Sequence, residues 1–153
     1  MKILMVCLGN ICRSPLADGL LRDKVQKLNL PVIVDSAGTS GLHAGDKPDH
    51  RMIKTASQFG LDISDLRSRK FTEQDFDIFD SIFVMDKDNL HNVSKLARNN
   101  VDLQKVTLIL DLIEPGKNLE VPDPYYGGDE GFKEVYSLLD RATDQIIHTL
   151  THK

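Results

Sequence analysis

Lys2-Ile3-Leu4-Met5-Val6-Cys7-Leu8-Gly9-Asn10-Ile11-Cys12-Arg13-Ser14-Pro15 joins an apolar run to a polar loop and then to the start of a helix. Residues 2–6 are continuously apolar after the first, as in a strand buried on both faces. Ser14 stands where an N-cap is expected and Pro15 at the first helical position, and Leu16, Leu20, Leu21 and Leu28 then fall near one helical face. Comparable apolar runs recur at 31–34, 81–85 and 105–110. Helical stretches are expected over 48–58, ending at Gly60, and over 87–98. Near the C-terminus Phe132, Val135, Leu139, Ala142, Ile146 and Leu150 keep a three-and-four spacing. Strands alternating with helices predict an α/β fold, a parallel sheet wound with helices on both faces.

The rest of the chain fits that frame. With 153 residues, 41% of them hydrophobic, it has the size of one domain, 1–153, and no repeat, low-complexity tract or linker divides it. A net charge of −4 leaves no basic surplus for a nucleic acid or an anionic membrane, so any anion site must be local. No apolar run reaches the length of a bilayer span, and the first residues are too short and wrongly flanked for a secretory signal. Cys7 and Cys12, the only cysteines, are a poor basis for a disulfide framework. A soluble cytoplasmic protein with reduced thiols is the expectation. Two long irregular segments, 36–47 and 111–128, should follow strands and converge near Cys7 at the carboxyl edge of the sheet.

The loop from Cys7 through Leu8, Gly9, Asn10, Ile11 and Cys12 to Arg13 and Ser14 can turn successive N–H groups inward around an anion. Gly9 and Asn10 tolerate the positive φ that such a loop needs. The following helix adds partial positive charge, and Arg13 offers a bidentate grip on phosphate oxygens. The same groups favour thiolate at Cys7, which makes it a nucleophile toward phosphorus; Arg13 and the amides then stabilise the oxygens, and Ser14 the departing sulfur. Taken alone, Cys7 would read as a small buried apolar residue, but Arg13 and the strand-to-helix setting favour the catalytic role. Cys12 reads either as packing or as a partner that traps oxidised Cys7 in a disulfide; a metal site is disfavoured because no His or carboxylate completes a ligand set. Ester cleavage also needs a proton donor. Asp123, stiffened between Pro122 and Pro124, is the candidate, although Asp-Pro and Gly-Gly alone would mark turns.

Together CLGNICRSP, DSAG at 35–38, Met85-Asp86 and DPYYGG at 123–128 resemble the low-molecular-weight protein tyrosine phosphatases, in order and spacing along essentially the whole chain. The resemblance implies a three-layer doubly wound sheet of four parallel strands in the order 2-1-3-4. It implies Cys7 as nucleophile, Arg13 as phosphate binder, Asp123 as general acid and then base, and no metal or other cofactor. Asn10, Ser14 and Ser36 look like support for the loop, Asp86 like part of an outer network, and Leu42, Tyr125 and Tyr126 like the substrate rim. The partner implied is a phosphotyrosine-containing protein, with a tyrosine kinase as a further candidate. Leu66 stands where many relatives carry a histidine that bonds Asn10 and Ser36, so a buried polar atom there would lose a partner, at about 1–3 kcal/mol, unless water or another side chain substitutes. Leu42 replaces a rim aromatic. Arg67, Arg69 and Lys70 read as a solvated basic turn. Two alternatives stand beside phosphotyrosine hydrolysis. A phosphoarginine phosphatase is disfavoured by Ile11, where such relatives tend to carry threonine, and a phosphopeptide-binding module without turnover is disfavoured by the intact nucleophile and acid.

Overall fold

Strand β1 (Lys2–Cys7) is the axis of the molecule, because its side chains feed two different cores. In a computed structural model that describes residues 1–126 and 128–152, apart from the side chain of Tyr126, Ile3, Met5 and Cys7 face one hydrophobic cluster while Leu4 and Val6 face the other. The two-residue period of a strand makes this division inevitable once both faces are covered. β1 is flanked by β2 (Ile33–Gly38) and β3 (Ser81–Val84), and β4 (Val106–Leu108) pairs with β3. All pairings are parallel and the order is β2-β1-β3-β4.

Helix α1 (Arg13–Lys27), α2 (His50–Gln58) and the long α6 (Asp129–Thr151) close the first face through Leu16, Leu21, Met52, Phe132, Val135 and Leu139. The short α3 (Asp75–Ile78) and α4 (Lys87–Ser94) close the second through Phe76 and Val93, with Phe71 and Phe79 beside them. Helix α5 (Asn100–Gln104) leads into β4. These are the three layers and the strand order expected.

Several boundaries differ from the expectation for identifiable reasons. β2 runs from Ile33 to Gly38, beyond the run at 31–34, because the polar residues Asp35 and Ser36 still pair with Leu4 and Met5. The segment from 36 is therefore not irregular at its start, and Ser36 is a strand residue whose side chain faces the loop after β1. α1 begins at Arg13 with Cys12 in the capping position, so Ser14 is not the N-cap and Pro15 is the third helical residue; a proline is still allowed there because first-turn N–H groups have no intrahelical acceptor. Leu28 lies past the helix end and is exposed. α2 starts at His50, capped by Asp49, whose carboxylate accepts from Arg51 N–H. α4 stops at Ser94, and the run at 105–110 is a short edge strand followed by a 3-10 turn, Ile109–Leu112. The segment 68–71 runs alongside the end of β2, with Gly38 N–H donating to Arg69 O and Phe71 N–H to Gly38 O. Arg69 is accordingly no solvated charge, since it pairs with Asp35 and Asp75.

Phe76 is fully buried in the second cluster and meets Phe71 edge-on, away from the loop after β1. Phe76→Ala is expected to lower unfolding free energy in urea by ~3–5 kcal/mol through the cavity it leaves.

Candidate active site

At the carboxyl end of β1 the chain must leave the sheet and turn at once into α1. Asn10 makes the turn, adopting the left-handed conformation at φ 56 that its short amide tolerates. Gly9, expected to share that role, does not have positive φ. Its lack of a side chain matters for space instead, because a Cβ there would lie 3.2 Å from the His43 ring.

Around this turn the polar groups form one connected set. Arg69 N–H donates to Asn10 Oδ1 at 3.0 Å, which fixes the amide so that Nδ2 donates to Ser14 Oγ at 2.8 Å and to Ser36 Oγ at 3.0 Å. Ser14 Oγ also lies 3.0 Å from Cys7 Sγ, within hydrogen-bond reach, and 3.4 Å from Ala37 O; Asn10 N–H points at the same sulfur, at 3.3 Å. Ser68 Oγ donates to Gly9 O. Asn10 is thus fully partnered without help from Leu66, and the substitute is a backbone N–H rather than water or another side chain. Leu66 packs against the first core cluster instead. Among the described residues the buried side-chain oxygen without a partner is Thr39 Oγ1, which is not part of this set.

Arg13 is almost wholly buried, its side chain 3% exposed. Its NH1 donates to Asp86 Oδ2 at 2.7 Å and to Val121 O at 3.0 Å, and its NH2 lies 3.8 Å from Asp123 Oδ2. Burial works against the guanidinium charge, but Cys7, Asp86 and Asp123 around it more than offset this and hold its pKa above the ordinary arginine value. Asp86 has two tasks, since its other oxygen caps α4 through Asn89 N–H while Asn89 Oδ1 accepts from Asp86 N–H in return. Asp123 comes from the opposite wall, 38% exposed, with Oδ1 accepting from Tyr125 N–H.

Together these walls enclose a cavity of about 260 Å³ lined by Cys7, Leu8, Gly9, Ile11, Cys12 and Arg13 on the floor and by Ser40, Leu42, His43, Asp123 and Tyr125 at the sides. Leu42 is 88% exposed. Asn10, Ser14 and Ser36 stand behind the floor and hold it rather than line it. The side chain of Tyr126, expected at the rim, lies outside the described residues. Among the described residues no group of three or more His, Cys, Asp or Glu side chains is placed to hold a metal ion, and no helix is long and apolar enough to cross a membrane.

Comparison with known proteins agrees with this arrangement. The family model described as low molecular weight phosphotyrosine protein phosphatase matches residues 2–153. The chain belongs to that family. It is 40% identical over 138 residues to the human low molecular weight phosphotyrosine protein phosphatase, an alignment covering 88% of this chain and 86% of the human one. Its fold superposes on a protein tyrosine phosphatase of Entamoeba histolytica with a TM-score of 0.92 at 40% identity, covering 99% and 97% of the two chains. A Drosophila arginine phosphatase is also similar, with a TM-score of 0.90 at 32% identity over 98% of each chain. Within the family site, Ser40, His43 and the Arg69 backbone were not expected from sequence. His43 adjoins Leu42 and could have been found by proximity, whereas a backbone N–H leaves no signal in residue identity.

Asp18 was missed as well. It is buried in α1 and pairs with Arg22 at 2.9 Å. Burial pushes its carboxyl up to about 6, with Asp35 adding to the rise and Arg22 and Ser36 opposing it. A folded-state pKa above the unfolded one means that the native protein holds more protons in the window between the two, so stability falls as pH rises through it. The wild-type protein is therefore expected to lose roughly 2 kcal/mol relative to Asp18→Asn between about pH 4 and pH 7, read as the difference of their urea unfolding free energies.

Proposed function

We propose that the chain hydrolyses phosphotyrosine in proteins through a cysteinyl-phosphate intermediate on Cys7. The observation that carries this is the cavity in which the Cys7 thiol, the Arg13 guanidinium and the Asp123 carboxyl face one small volume. Cys7 Sγ attacks phosphorus as the bond to the tyrosyl oxygen breaks, and Asp123 gives its proton to that oxygen, so tyrosine leaves neutral. Arg13 and the N–H groups of the loop take the charge that grows on the remaining oxygens. Water then attacks the phosphorus of the cysteinyl phosphate, Asp123 takes its proton, and the sulfur departs as a thiolate that receives hydrogen bonds from Ser14 and Asn10.

Arg13 suits this role because Asp86 and Val121 O occupy one of its terminal nitrogens and leave the other facing the cavity side. The second cysteine does not compete as a nucleophile: burial, with Asp49, Cys7 and Asp123 adding, pushes the Cys12 thiol up and keeps it protonated near neutrality. Both thiols are free, which suits a reducing compartment such as the cytoplasm. A disulfide between them, formed when Cys7 is oxidised, is the protective alternative for Cys12. The substrate is a protein phosphorylated by a tyrosine kinase. Phosphoarginine is the competing substrate class, since an arginine phosphatase shares the fold. Ile11 on the cavity floor and Tyr125 at its side favour the aromatic ester, because both offer apolar surface to a tyrosyl ring.

Cys7→Ser should abolish turnover of aryl phosphates while leaving inorganic oxyanion binding measurable by titration; undiminished hydrolysis would falsify the covalent route. Measured side by side as kcat/KM, phosphotyrosine peptides should exceed phosphoserine and phosphoarginine peptides by at least about a hundredfold, a gap of ~3 kcal/mol in transition-state binding. A preference for phosphoarginine would reverse the substrate assignment and leave the nucleophile in place.

A further inference from the structure

Asp123 lies in a segment without a strand to hold it. On one side the segment is anchored by Val121, whose N–H donates to Met85 O at 2.8 Å and whose carbonyl accepts from Arg13. On the other side the anchor is less obvious. Asp123 Oδ1 accepts from Tyr125 N–H at 3.0 Å, so carboxyl and tyrosine form one closed turn. The Tyr125 ring lies with its centroid 5.2 Å from the Arg51 guanidinium carbon, and the same carbon is 4.8 Å from the ring centroid of Phe132, a fully buried residue of α6.

Arg51 itself is locked in place. Its Nε and NH2 donate to the two oxygens of Asp49 at 3.1 and 3.0 Å, and Asp49 is the N-cap of α2. Asp49 N–H in turn donates to Ile11 O at 2.7 Å, in the loop that carries Cys7. A continuous path of contacts thus runs from the nucleophile loop through Asp49, Arg51 and Tyr125 to Asp123. Arg51 does not line the cavity.

We propose that Arg51 is a positioning residue for Asp123, holding the acid at its working distance from the Cys7 loop by gripping the Tyr125 ring from a base fixed on Asp49. The proposal rests on Asp123 being the general acid. A guanidinium is suited to the task because its plane stacks on aromatic faces while its edge makes a bidentate pair with a carboxylate, which a lysine cannot reproduce. The effect falls on one part of the reaction. Attack by Cys7 does not need the acid to be well placed, whereas protonation of a basic leaving oxygen does, and its efficiency drops steeply with small displacements.

The test is kcat/KM on a series of aryl phosphates, from phosphotyrosine to a dinitrophenyl phosphate whose leaving group needs no proton, for the wild type, Arg51→Gln, Arg51→Lys and Asp123→Asn. Arg51→Gln should lose roughly tenfold or more on phosphotyrosine and less than about twofold on the dinitrophenyl ester, with Arg51→Lys between it and wild type. Tyr125→Leu, which also alters the cavity side, should lose some rate on both esters, but the leaving-group-dependent part of its loss should add little in the Arg51→Gln background, because that part reflects one shared contact. Equal slowing at both ends of the series, no slowing at all, or fully additive losses would each overturn the proposal. If Asp123→Asn itself slows both esters equally, the acid assignment falls. If Asp123→Asn discriminates and Arg51→Gln does not, only the role of Arg51 falls.

Discussion

The side-chain amide of Asn10 is the interaction on which the site depends. A loop that wraps its N–H groups around an anion presents like dipoles to one another, and its shape must be imposed from behind. Asn10 does this from a left-handed backbone position, with the Arg69 N–H on its oxygen and Ser14 and Ser36 on its nitrogen. Because the amide orientation is set by a backbone donor, Asn10 Nδ2 is turned toward Ser14 Oγ, which in turn lies within hydrogen-bond reach of Cys7 Sγ. The segment 68–71 contributes through its main chain, so the bond to Asn10 does not depend on the side chain at Leu66.

Arg13 depends on a second economy of partners. Asp86 stands two residues past the end of β3, caps α4 and holds Arg13 with the same carboxylate, so the strand order that places β3 beside β1 also decides where the Arg13 guanidinium can point. Val121 extends this by tying the acid-bearing segment both to Met85 O and to Arg13. The Cys7 loop and the Asp123 segment are therefore coupled twice, through Arg13 on the inner side and through Asp49, Arg51 and Tyr125 on the outer side. Both couplings act on distance rather than on chemistry, which suits the proposed reaction, in which one carboxyl serves two proton transfers.

Much of the fold was readable in the sequence where a single physical demand dominated. β1 is buried on both faces and so appears as an uninterrupted apolar run, and α6 packs one stripe against the core and so shows its period over its whole length. Boundaries were less readable where two demands competed. Ser14 suits an N-cap, but its hydroxyl is taken by Cys7 and Asn10. Asp35 and Ser36 look like loop residues, yet they continue β2 because the strand must reach Gly38 to lie beside Cys7. The short helices α3 and α5 have too few residues to display a period at all.

The sequence by itself determined the reactive parts: Cys7, Arg13 and the loop between them are contiguous, and their spacing is a local property that no distant contact need supply. It also determined the sheet class, since the alternation of buried runs and amphipathic stretches has few other solutions. Only the tertiary structure decided what holds those parts. Asp18, Asp49, Arg51 and the N–H of Arg69 act through contacts between segments far apart in the chain, and charged residues or main-chain groups of this kind look the same in sequence whether they are solvated or partnered. The Cys7 loop is local in sequence, but its shape and its distance from Asp123 are properties of the folded neighbours.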